Sequence, residues 1–216
     1  MDLMRRRRAM MERLNNTECP YIQRGLVLWL DGIKTGNKAG YWVDQISGHE
    51  FEAHNGVLFD QNHLTFDRTK SQYLVNDSFD APHQADGTIE VVLRDSFDRY
   101  IIFMPKVAGC ICYGRYRNDL SYSTVTPKQS VRTTGTKDGY LSFSNAFRFI
   151  NGVKYNRNDD EIWVNADGHN YIGCRQGSEY HFSGDLYCLR IYNRYLTETE
   201  ILSNYAIDQS RFNLAI

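Results

Sequence analysis

Short apolar runs separated by polar, glycine-containing breaks follow one another along most of the chain at steady spacing. In residues 186–192, Leu186-Tyr187-Cys188-Leu189-Arg190-Ile191-Tyr192, apolar and aromatic residues fill both parities. That pattern suits a strand in a two-layer stack. Gly184, just before it, supplies a backbone conformation or a close approach that a Cβ would block. Residues 25–30 form an equally apolar first strand, and 41–44 and 48–53 follow. Residues 57–59 and 63–66 read as a hairpin around Asp60-Gln61-Asn62. Then come 73–75 and a strong central strand at 87–93. Further strands are predicted at 100–104, 110–116, 121–125 and 140–143. Residues 147–150 and 153–156 flank Asn151-Gly152, the signal of a type I′ hairpin. Residues 162–164 lead to another turn at Asp167-Gly168. Many short strands predict an all-β protein, a two-sheet antiparallel jelly-roll sandwich.

Helical signals lie only near the two ends. Residues 1–16 read as a short helix with Asp2 as a possible cap, a basic run Arg5, Arg6, Arg7 and Arg8, and apolar Met10, Met11 and Leu14. Two heptad turns are too few for an independent coiled coil, so this helix is a surface-packed leader or a docking element for a partner. Asn15 to Pro20 breaks it. The chain therefore divides into a helical docking segment and linker at 1–20 and a sandwich at 21–216. After the last strand, Thr197-Glu198-Thr199-Glu200 is a capping box, with Leu196 and Ile201 as its hydrophobic staple. A short helix starts there.

The closing run from Tyr171-Ile172-Gly173 through Gly184-Asp185-Leu186-Tyr187 to Leu189-Arg190-Ile191-Tyr192-Asn193-Arg194 and Leu196-Thr197 resembles that of laminin-G-like, concanavalin A-like jelly-roll domains. It is most similar to compact versions encoded by phages and prophages of gut bacteria. Further matching pieces are 24–32, Tyr73-Leu74, 87–92 and 151–153, so the likeness spans most of the chain. The resemblance implies that the first strand runs beside the closing strand. It also implies a virion part made in the bacterial host cytoplasm, with other virion proteins as partners and a homo-oligomeric state. Because the fold hosts lectins, glycosidases, adhesion modules and virion parts alike, it leaves the ligand open.

Composition narrows this picture a little. The formal net charge of -1 over 216 residues sets up no field that would recruit nucleic acid or an anionic membrane. The basic run at 5–8 has no second basic stretch or aromatic platform to accompany it. No secretory signal follows that run, and no segment reaches membrane-spanning length. The five cysteines, Cys19, Cys110, Cys112, Cys174 and Cys188, show no zinc-like spacing. They read as small buried hydrophobes of a protein made in a reducing compartment.

Catalysis finds little support in the residues. A glycosidase needs two carboxylates facing one cleft. Glu90 stands alone among Val91, Val92 and Leu93, and Glu50 with Glu52 reads as a solvated strand face. The six histidines are dispersed, without a serine nucleophile elbow. The chain is expected not to be an enzyme and to need no cofactor, calcium at Asp159 and Asp160 being the one metal that could be held. Binding fits better. Flat aromatic faces pack on the apolar side of a sugar while planar polar groups read its hydroxyls. Tyr113, Arg115, Tyr116 and Arg117, with Tyr122, Trp163, Arg175 and Tyr180, supply that mixture. Ordinary tyrosine cover of a sheet face is the alternative reading of the same residues. Trp29 reads as core, and Trp42 fits either role. Three functions follow: a lectin-like module of a phage or prophage particle that binds a bacterial surface glycan, a purely structural decoration or fibre protein, and, most distant, a glycan hydrolase.

Overall fold

A computed structural model of the chain describes residues 19–33, 38–82, 87–95, 99–104, 112–116, 119–123, 129–132, 138–144, 148–155 and 168–213. The strands, in chain order, are β1 Leu26–Asp31, β2 Tyr41–Val43, β3 Glu50–His54, β4 Leu58–Phe59, β5 Leu64–Phe66 and β6 Tyr73–Asn76. The middle of the chain adds β7 Thr88–Asp95, β8 Arg99–Met104, β9 Cys112–Tyr116, β10 Asp119–Ser123 and β11 Gln129–Arg132. Then come β12 Asp138–Ser144, β13 Arg148–Ile150, β14 Val153–Tyr155, β15 Asn170–Ile172 and β16 Gly184–Tyr192, and helix α1 spans Glu198–Phe212. All strand pairings among the described residues are antiparallel.

The first sheet runs β14-β13-β12-β7-β16-β5-β4, with β1 also paired to β16. The second runs β11-β10-β9-β8-β15-β6-β3-β2. The first strand does lie beside the closing one, Leu30 opposite Leu189 and Trp29 opposite Arg190. The hairpin of β4 and β5 and the central place of β7 also agree with the sequence pattern. At the turn between β13 and β14, Asn151 and Gly152 take φ of 48° and 76°, both positive as a type I′ turn requires. Gly184 takes φ of 143°, a region that side chains disfavour. Strand β11 was not anticipated, because Gln129-Ser130-Val131-Arg132 carries a single apolar residue.

The filled parities of β16 now have a cause. Leu186, Leu189 and Ile191 face the core between the sheets with Leu28, Leu30, Trp42, Phe51, Leu74, Ile89, Val91, Phe103 and Ile172. Tyr187, Cys188 and Tyr192 belong to a second apolar cluster with Tyr21, Trp29, Val92, Tyr140, Leu196, Ile201 and Phe212, which includes α1. The first sheet is thus covered on both faces. Both tryptophans that could be core are buried, one in each cluster. Cys174 and Cys188 are buried and Cys19 partly so, as small hydrophobes.

Helix α1 corrects one expectation. It is 15 residues long rather than short. Its buried stripe is Ile201, Asn204, Asp208, Arg211 and Phe212, and three polar members hide the amphipathic period. The capping box forms as read: the Thr197 hydroxyl accepts from Glu200 N–H, and Glu200 accepts from Thr197 N–H at 2.9 Å. Leu196 and Ile201 are buried in one cluster, in the places of a staple. Asn213 ends the helix in the left-handed conformation.

The polar stripe meets polar residues of the sheet. Arg190 donates through Nε to Glu90 at 2.9 Å and through Nη1 and Nη2 to both oxygens of Asp208 at 2.9 and 2.5 Å. Asn204 donates to Glu90 at 2.7 Å, and the Tyr140 hydroxyl donates to the same carboxylate. Tyr21 donates to Asp208 at 2.6 Å and accepts from Arg211 at 2.8 Å, and Arg211 pairs with Asp31 at 2.7 Å. The Arg190 guanidinium lies 3.8 Å from the Tyr21 ring centre. Burial pushes the Glu90 carboxyl up, while the Arg190 charge and the Tyr140 hydroxyl pull it back.

Two outcomes test this frame. Arg190→Met strands two buried carboxylates and is expected to cost about 3–5 kcal/mol in urea unfolding. Adding Glu90→Gln and Asp208→Asn removes both orphaned charges and should restore part of that loss. An equal loss in the triple variant would contradict the charge account. At the helix start, Arg194 binds both oxygens of Glu200, at 2.7 and 2.9 Å, and holds its carboxyl down to about 2, with Thr197 adding donors. The contribution is full above the ordinary 4.5 and is lost as pH falls toward about 2. The stability gap between the native chain and Arg194→Met should therefore shrink across that window, and a pH-independent gap would refute the pairing.

Candidate functional site

Because α1 covers the outer face of the first sheet, the corresponding face of the second sheet is where exposed chemistry gathers. In β2, β3, β6 and β15 the alternation of side chains sorts the residues cleanly. Trp42, Phe51, Leu74 and Ile172 point into the core. Their neighbours of the other parity form the outer face. Register sets Tyr41 opposite Glu52, Glu52 opposite Val75, and Val75 opposite Tyr171, a row across four strands. Beside this row His54 lies opposite Tyr73.

The rings on this face make a connected platform around Tyr73. His54 stacks on it in parallel, centroids 4.7 Å apart and planes 4° apart. Tyr171 meets it edge-on at 5.8 Å, and His181 is tilted toward it at 6.3 Å. Tyr73, Val75 and Tyr180 pack partly buried against Tyr171 and Cys174. Burial, then the neighbouring Cys174 and Glu52, push the Tyr73 phenol up.

The turn after β15 positions the far side. Phe182 N–H donates to Gly173 carbonyl at 2.8 Å, and Arg175 N–H donates to Glu179 carbonyl at 2.7 Å, closing a small loop. Gly173 has φ of 86°, and a Cβ there would lie 2.8 Å from the Phe66 ring. Tyr180 itself sits at φ of 52°. An aromatic residue held in the left-handed region stores strain, and such strain collects at functional sites.

Charges rim the platform mostly as pairs. Lys38 bonds Glu50 at 3.1 Å and lies 4.5 Å from the Tyr41 ring centre. Arg175 pairs with Glu179 at 3.4 Å, and His169 Nδ1 with Asp77 at 2.5 Å. Glu50 and Glu52 are both exposed, as expected of a solvated strand face. Flat rings with a carboxylate and planar donors at the edges suit a hydroxyl-rich, partly apolar ligand. Among the described residues no three His, Cys, Asp or Glu side chains gather as a metal site, and no helix is long and apolar enough to cross a membrane.

Of the residues singled out in the sequence, Arg175 and Tyr180 are part of this platform. Tyr113, Arg115 and Tyr116 lie on β9 and Tyr122 on β10, in the same sheet, with β8 between β9 and β15. Register sets Tyr122 opposite Tyr113, and Tyr113 in turn opposite Phe103, a core position. Trp163, Arg117, Asp159, Asp160 and the docking residues Arg5, Arg6, Arg7, Arg8, Met10, Met11 and Leu14 lie outside the described residues. Sequence reasoning missed Tyr41, His54, Tyr73 and Tyr171 as a group. Their signal was the alternation in β2, β3 and β6, but the register that joins them is not local.

Residues 117–202 match a family model described as the concanavalin A-like lectin/glucanases superfamily. No curated protein matches the chain. Among solved structures, the chain is similar to the receptor binding domain of botulinum neurotoxin type G, with a TM-score of 0.56 and 14% identity over 85% of this chain and 51% of that one. It is similar to the binding domain of botulinum neurotoxin DC in complex with SialylT, with 0.54 and 13% over 83% and 51%. The sialidase of Trypanosoma rangeli in complex with sialic acid gives 0.58 and 14% over 96% and 39%. The chain spans about half or less of these structures. At such identities the likeness shows the fold alone, a two-sheet antiparallel β-sandwich.

Proposed function

We propose that the chain is a non-catalytic, lectin-like module that binds a cell-surface glycan on the outer face of its second sheet. The observation that carries this reading is the platform around Tyr73, with His54, Tyr171 and Tyr180 packed about it and an exposed carboxylate, Glu52, beside it. Rings fixed by mutual packing present apolar area without an ordering cost on binding. The lectin-like fold supports the same reading. A non-catalytic role is supported by the fate of two carboxylates that the fold brings onto one guanidinium, Glu90 and Asp208. Both are fully buried and bound to Arg190, out of reach of a substrate. The likeness of the closing segment to phage-encoded domains supports a place on a virion. There the basic and apolar residues of 1–20 would dock the module to other virion proteins in a homo-oligomeric assembly, and the ligand would be a bacterial surface glycan.

Binding of the purified chain to an array of bacterial and host glycans tests this. Tyr73→Ala should keep the fold, read by circular dichroism, and weaken retention about 30-fold, as loss of a central aromatic anchor does. A blank array with the folded native chain would sink the glycan reading and leave passive display. Loss on replacing Tyr113 and Tyr122 but not Tyr73 would move the site to β9 and β10.

A further inference from the structure

Resting on that reading, we infer that the ligand is a neutral saccharide, and that the Glu52 carboxylate selects it. Glu52 stands in the row between Tyr41 on β2 and Val75 on β6, with Tyr171 beyond, so it lies on the same outer face, beside the rings around Tyr73. Other carboxylates described on this side have partners: Glu50 holds Lys38, Glu179 holds Arg175 and Asp77 holds His169. Glu52 is exposed and makes no such bond among the described residues. Lys38 feels its charge only at longer range, being bonded to Glu50.

The chemistry follows from these positions. An ionised carboxylate only accepts hydrogen bonds, and its two oxygens can take both hydroxyls of a vicinal diol. A pyranose lying on the Tyr73 side would present such hydroxyls to it. A sugar bearing its own carboxylate would bring a like charge to the same place, with Lys38 and Arg175 already engaged by Glu50 and Glu179. Glu52 thus attracts one class of ligand and rejects the other.

The experiment is calorimetric titration of the full chain, at fixed salt, with pairs of oligosaccharides that differ only in a neutral or an acidic sugar. The neutral member should bind, with the acidic member at least tenfold weaker. Glu52→Gln, an exposed and nearly isosteric change, should lose on the order of tenfold for the neutral member and narrow the gap between the two. Equal or tighter binding of the acidic member overturns the inference and leaves glycan binding standing. So does Glu52→Gln binding the neutral member as well as the native chain. Binding of neither member overturns the glycan reading itself.

Discussion

A guanidinium fully removed from water fixes the layout of this protein. Arg190 stands in the second half of β16, and burying it demands acceptors in several directions at once. Glu90 on the neighbouring β7 satisfies Nε, and Asp208 on α1 satisfies the other two nitrogens. The second partner comes from outside the sheet, so the helix has to lie where its carboxylate meets Arg190. Asn204 and Arg211, on the same helical stripe, reach Glu90 and Asp31 and fix its rotation. Apolar packing alone would let a helix slide over a sheet. Directional bonds to charged groups do not.

That constraint decides where a ligand can go. With α1 across one face and the second sheet across the other, the first sheet has no broad face left for solvent. The polar residues it carries are consumed by structure, and this is why Glu90 and Asp208 make poor candidates for chemistry. Among the described residues the second sheet is packed on one side only. Its outer face can hold rings and charges whose arrangement the core does not dictate, and there Tyr41, Glu52, His54, Tyr73 and Tyr171 converge.

How much of this could be read from the sequence follows from what each signal depends on. Strands, turns and caps depend on neighbours along the chain. The filled parities of β16, Asn151-Gly152 and Thr197 with Glu200 were therefore visible. The length of α1 was not, because Asn204, Asp208 and Arg211 look like solvent positions until Glu90, Arg190, Tyr21 and Asp31 are set against them. Glu90 looked solitary for the same reason, its partners lying 50 to 114 positions away. The site was hidden by register. Arg175 and Tyr180 stand among the candidates of the sequence, but only as additions to Tyr113 and its neighbours, and nothing local shows that Tyr73 lies opposite His54 or that Glu52 lies between Tyr41 and Val75.

The two halves of the molecule are also linked mechanically. Ile172 on β15 is in the core with Leu189 and Ile191 of β16, while the preceding residue, Tyr171, belongs to the platform. The loop from Gly173 to Phe182 joins these strands, so it is anchored at both ends by the core. Gly173 sits against Phe66 and Phe182 packs beside the same ring, 5.6 Å between centroids. A close-packed interior has few alternative arrangements. Such an anchor keeps Tyr180 in its strained conformation and holds Arg175 at the platform edge. A rigid, preorganised face loses little freedom on binding, and that is what the proposed glycan-binding role requires.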